Sequence, residues 1–235
     1  MTFGVQWAAL AVLLACALWR LPSMLRGHNR GMFWILACMS LCVALSIPPI
    51  YLAVDGVLGE RTVANVILRL SLFAVFYLLG SRIAAAYDSP LAARLIKGPV
   101  GIAALVLCCL GICLSYLASD VAGSSVGLAS LSTHQSSIEV YKWFGLAYVG
   151  YISAVVVIPT AKAALSPRPW PDRIAALLMC AGFALAAALV PLNTLELSHG
   201  IETIAAFVAI LLVAAGLSLL WLSFTLRPRP DASAG

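Results

Sequence analysis

Seven stretches of this chain stay apolar for most or all of the length a helix needs to cross a hydrocarbon core. They cover residues 3–19, 32–54, 64–87, 99–119, 140–162, 173–192 and 201–225, against the roughly 20 residues a transmembrane helix requires. Between them the pattern breaks into polar and turn-forming residues, as in DGVLGER (55–61), YDSPLAARLIKGP (87–99), SPRPWPDR (166–173) and LNTLELSHGIE (192–202). The alternating ten-residue segments of a membrane barrel are absent. The pattern predicts an all-α fold, a polytopic seven-transmembrane-helix bundle over residues 1–227 with a short tail at 228–235.

Composition points the same way. Of the 235 residues, 63% are hydrophobic and 10% charged, and the mean hydropathy is +1.05. A soluble domain needs more charge to cover its surface. The charge also has a side. Arg20, Arg26, Arg30, Arg82, Arg94, Lys97, Lys162, Arg168, Arg173, Arg227 and Arg229 fall in alternate connections or the tail. The other side keeps Arg61, Arg69 and Lys142, with six of the nine acids: Asp55, Glu60, Asp120, Glu139, Glu196 and Glu202. The positive-inside rule then predicts the N-terminus outside and the C-terminus in the cytoplasm. The first segment has no basic residue before it, so an uncleaved first helix is expected rather than a signal peptide. The expected location is the cell membrane.

The net charge of +5 therefore sets topology and contact with lipid headgroups. No basic run interleaved with aromatics suggests nucleic acid. Membrane lipids are the expected partners, with a partner protein or a second copy of the chain for any assembly. The seven cysteines lie inside apolar runs. Cys38/Cys42 and Cys109/Cys113 each share a helix face, but a metal would need further ligands, and packing is the expected role. No metal or other cofactor is expected.

Ionisable groups inside the segments would mark function, because burying one costs several kcal/mol. Arg69 comes closest, about one turn into the third segment. It is expected either to reach the headgroups or pair with an acid such as Asp55 or Glu60, or to hold an anionic ligand through its guanidinium fork. Glu196, His199 and Glu202 have three-residue spacing and would share one face if helical. Pro191 and Gly200 bracket them, which favours a polar hairpin at the rim of an outer pocket. Tyr148 and Tyr151 lie deeper and can donate hydrogen bonds into a bundle or cavity. Trp143 and Tyr141 are expected at one headgroup level, and Trp19, Trp170 and Trp221 at the other. The Ser/Gly-rich stretch 119–139 reads as a surface loop, or as a lid over an outward cavity.

Several membrane chemistries are excluded by residue type. The last segment has no lysine for a retinal Schiff base. His28, His134 and His199 all lie in connections, where they cannot hold a haem at membrane depth. The helices carry no paired carboxylates, zinc motif or Ser/His dyad for intramembrane proteolysis. A protein that is not an enzyme is expected.

The stretch IPPIYLAVDGVLGERTVANVILRLSLF (47–73) combines a proline pair, an aromatic, a VD dipeptide and a short glycine-containing turn at a helix junction. It resembles the N-terminal seven-helix membrane region of a group of actinobacterial transporter proteins. Those carry a C-terminal cytoplasmic domain, for which the sequence ending in LRPRPDASAG has no counterpart. The resemblance implies a small transporter-like protein with an outward-facing cavity, and it transfers no catalytic residue. The alternative from the residues themselves is a non-catalytic membrane sensor, receptor or scaffold acting through a partner.

Overall fold

The computed structural model describes residues 2–27, 30–58, 63–118, 136–192 and 199–226. All regular structure among them is α-helical: α1 (Thr2–Leu25), α2 (Arg30–Ser46), α3 (Pro48–Val57), α4 (Val63–Ala86), α5 (Pro90–Lys97), α6 (Pro99–Leu117), α7 (Ser136–Leu165), α8 (Trp170–Leu192) and α9 (His199–Leu226). Four spans are long and apolar enough to cross a membrane: Val63–Ala86, Pro90–Leu117, Glu139–Leu165 and Trp170–Leu192. The bent pair α2–α3 makes a fifth if it counts as one span. Within α1 and α9, the apolar helix among the described residues is shorter, at Leu10–Trp19 and Val208–Leu220. Each apolar stretch of the sequence is thus helical, while four to five of them meet the length of a span.

Proline decides where three of these helices start. The uninterrupted segment expected at 32–54 is broken, with α2 and α3 bent by 95°. Pro48 and Pro49 lack the N–H groups that would continue α2, and Pro48 excludes the helical conformation from the residue before it. Ile47 accordingly is extended, at φ −88° and ψ 115°. The same prolines suit the first turn of a new helix, where those N–H groups have no partner anyway. The Ser46 hydroxyl donates to the Val43 carbonyl (2.7 Å) and covers the end of α2. Pro90 and Pro99 open α5 and α6 likewise, so the connection expected at 87–99 contains a short helix. Its start is held by the Ala92 N–H donating to Ser89 Oγ.

The C-terminus of α4 closes with the Ser89 N–H on the Ala84 carbonyl (2.9 Å) and the Asp88 N–H on Ala85 (3.3 Å). Asp88 takes the left-handed conformation this cap requires, at φ 48°. Pro159 lies inside α7. The adjacent Thr160 hydroxyl turns back to share its proton between the Val156 and Val157 carbonyls, at 2.8 and 3.0 Å.

The chain divides into two compact units. Unit 1 comprises residues 1–82 and 96–149, and unit 2 comprises 83–95 and 150–235. In unit 1, α2 packs on α1 and on α3. Leu45, Tyr51 and Ala64 form a buried cluster there, lined by Val54, Ile67 and Leu68. On α6, Gly111 lies under the Phe144 ring of α7, only 2.5 Å from where its Cβ would be.

Unit 2 is organised by the α8–α9 pair. Gly182 of α8 faces Val213 and the Ala209 carbonyl of α9, and Gly216 of α9 faces Met179 and the Ala175 carbonyl of α8. A Cβ on either glycine would sit 2.8 Å from a backbone oxygen. Small residues at such crossings let two backbones meet, the main source of helix attraction where lipid competes for every apolar surface. Gly182→Val is expected to cost about 2 kcal/mol, seen as a lower unfolding midpoint in detergent. Leu177→Val, on the exposed face of the same helix, should leave the midpoint nearly unchanged.

Candidate functional site

The main polar cluster lies in unit 1, near the start of α4 and of α7. Asn65 and Arg69 are one helical turn apart on α4, so they share a face, and Phe73 continues it. Tyr141, Gly145 and Tyr148 make the corresponding face of α7. The two faces meet level by level. The Arg69 guanidinium carbon lies 5.9 Å from the Tyr141 ring centroid. One guanidinium nitrogen is 2.9 Å from where a Cβ on Gly145 would stand. Below them, Phe73 and Tyr148 stack at 4.9 Å between centroids.

α3 brings two more groups to this end of the unit. Tyr51 and Asp55, one turn apart, are both fully buried. Asp55 Oδ1 accepts the Ala64 N–H at 3.2 Å. That N–H belongs to the first turn of α4, where the helix itself offers no acceptor, and the carboxylate sits at the positive end of the helix dipole. Tyr51 lies within electrostatic reach of Asp55, Tyr116 and Tyr141, and Tyr141 within reach of Arg69, Cys113 and Tyr116.

Hydrogen-bond donors in this cluster exceed their acceptors. Arg69 Nε, Asn65 Nδ2 and the Tyr51 hydroxyl are buried without a hydrogen-bond partner among the described residues, while the Tyr141 hydroxyl faces the Arg69 guanidinium. Leaving a buried polar group unsatisfied costs about 1–3 kcal/mol, more when it is charged. Three such groups in one neighbourhood define a donor-rich site suited to an acceptor that arrives from outside.

The sequence-predicted residues fare unequally. Arg69 and Tyr148 stand in this cluster. Asp55 accepts the Ala64 N–H. Tyr151 belongs to unit 2, where its hydroxyl donates to the Leu95 carbonyl at 2.8 Å and holds α5 in place. Glu196 and the side chains of His199 and Glu202 lie outside the described residues, as does the 119–135 loop; His199 begins α9. Tyr141 is buried against Arg69, and Gly145 one turn on leaves room for the guanidinium. One expectation is corrected. Asp55 is a buried helical residue rather than part of a wet connection, because the proline pair starts a helix that carries it inward. Among the described residues, no group of three or more His, Cys, Asp or Glu could hold a metal. The cysteines are free thiols, and Cys42 Sγ lies 3.8 Å from the Leu68 carbonyl.

A second cluster lies in unit 2 at the α7–α8 connection. Arg168 stacks over the Tyr87 ring at 5.2 Å and Arg173 over Trp170 at 5.6 Å. Arg173 Nε also donates to the Ala164 carbonyl at the end of α7 (3.1 Å). The buried Asp172 accepts a short hydrogen bond from the Ser223 hydroxyl of α9. Burial pushes the Tyr87 phenol up to about 12, with Arg168 opposing and Asp172 adding to the rise.

The helices therefore fit a membrane-embedded protein, with buried polar clusters near helix ends. No protein-family model matches the chain, no curated protein matches it, and no solved structure matches its fold.

Two outcomes follow. Asp55→Ala strips the α4 N-terminus of its acceptor and is expected to cost about 1–3 kcal/mol, seen as a lower unfolding midpoint. For Tyr87, the folded state holds the phenol proton more tightly than the unfolded chain, whose value is about 10. Its stabilising share is complete below pH 10 and fades as pH rises through 12. The late-titrating part of the phenolate absorbance should shrink by one tyrosine in Tyr87→Phe, along with part of the alkaline loss of stability.

Proposed function

We propose that this chain is a seven-helix protein of the plasma membrane, N-terminus outside and C-terminus in the cytoplasm, that takes a small anion from the outer face at Arg69 in the manner of a transporter. The observation that carries the reading is the set of three buried donors without acceptors among the described residues: Arg69 Nε, Asn65 Nδ2 and the Tyr51 hydroxyl. A carboxylate or phosphate offers acceptors in the geometry a guanidinium fork meets best.

Two further features support uptake. The α2–α3 break at Pro48 places irregular backbone beside the cluster, as transporters do where helices are interrupted at a binding site. The likeness of residues 47–73 to a transporter group falls on this same region. The positive-inside distribution puts Arg69 towards the outer face.

The test uses purified protein with acetate, succinate and inorganic phosphate as probes, read by thermal unfolding and then by uptake into proteoliposomes. At least one probe should raise the unfolding midpoint and accumulate. Arg69→Gln should abolish both effects and Gly145→Ala weaken them at least tenfold, since the new methyl displaces the guanidinium. Equal responses in wild type and Arg69→Gln would remove the site, and no response to any probe would remove anion binding. Binding without uptake would leave a receptor or sensor in place of a transporter.

A further inference from the structure

The second polar cluster has features that anion uptake does not use. α7 ends at Leu165 and α8 begins at Trp170, so residues 166–169 join two apolar spans and sit where the hydrocarbon gives way to headgroups. Lys162, Arg168 and Arg173 carry three positive charges within this corner. Its acids are Asp172, buried and engaged by Ser223, and the exposed Asp88, which leaves cationic charge in excess. Leu165 is 83% exposed and Trp170 is 73% exposed, so large apolar surfaces flank the cations.

Each arginine rests against an aromatic ring. Arg168 rests on the Tyr87 ring, and Arg173 rests on Trp170 with its Nε fixed to the Ala164 carbonyl. Aromatic faces position a guanidinium without consuming its N–H groups. The Tyr87 hydroxyl is buried and has no hydrogen-bond partner among the described residues. The N-terminus of α8 adds the positive end of a helix dipole.

We infer that Arg168, Arg173 and the Tyr87 hydroxyl form a specific site for the phosphate of an anionic phospholipid, with Leu165 and Trp170 against its acyl chains. The lipid would join the end of α7 to the start of α8, so its phosphate acts as a strut across a connection only four residues long. The diester phosphate supplies acceptors for both guanidinium groups, and the chains cover apolar surface that a free anion leaves open.

The experiment measures the unfolding midpoint of delipidated protein in detergent with three additions: dioleoylphosphatidylglycerol, dioleoylphosphatidylcholine and inorganic phosphate. Phosphatidylglycerol should raise the midpoint by roughly 3 °C or more, and the other two should not. Arg168→Gln should lose that gain. It leaves the Arg173–Ala164 bond intact, so its own folding is secure. Arg94→Gln, which removes an exposed charge on α5, should keep the gain in full. Equal gains in wild type and Arg168→Gln would overturn the site, as would loss of the gain in Arg94→Gln, which would mean a diffuse charge effect. Equal stabilisation by inorganic phosphate would show a simple anion site and overturn the lipid assignment. Arg69→Gln should leave all these results unchanged, which separates this site from the proposed transport site.

Discussion

A backbone N–H in an apolar environment has to find an acceptor within the protein, because lipid offers none. The break at Pro48 makes that requirement acute. It ends α2 early, turns the chain by 95°, and brings a short helix towards the exposed start of α4. Asp55 meets the requirement by accepting the Ala64 N–H across nine residues of chain. The rest of the candidate site depends on this bond. Tyr51 is one turn before Asp55, and Asn65 and Arg69 follow Ala64, so the bond brings both side-chain pairs to one end of the unit.

The apolar pattern located the helices well, since each of the seven stretches is helical and most boundaries move by only a few residues. It failed where proline acts inside an apolar run. IPPIYLAVD reads as continuous hydropathy, and only the missing N–H groups of Pro48 and Pro49 break it. PLAARLIK was hidden for the opposite reason: its two basic residues made a short helix look like a connection. The site was legible in one residue, Arg69, because an arginine inside an apolar run is expensive wherever it points. Tyr51, Asn65 and Tyr141 carry no such mark in sequence. Their roles arise from which helix faces which, and hydropathy does not encode that.

Glycine does in both units what proline does at the helix ends. Four glycines at helix crossings stand where another helix comes too close for a methyl group: Phe144 at Gly111, Val190 at Gly150, the α9 backbone at Gly182 and the α8 backbone at Gly216. The partners differ in kind. At Gly111 and Gly150 a side chain fills the space. At Gly182 and Gly216 the neighbour includes peptide oxygen, which cannot rotate out of the way. The α8–α9 pair is accordingly the least adjustable contact in unit 2.

The Arg69 guanidinium rests where Gly145 has only a hydrogen. An α-helix advances by about 100° per residue, so turning this part of α7 by one position in either direction would bring Phe144 or Leu146 beneath the guanidinium. Arg69 would then be expelled and Tyr141 carried away from it. The azimuth of α7 that leaves room for the guanidinium is thus the same one that sets Tyr141 over it, so a single helix rotation fixes both contacts of the charge.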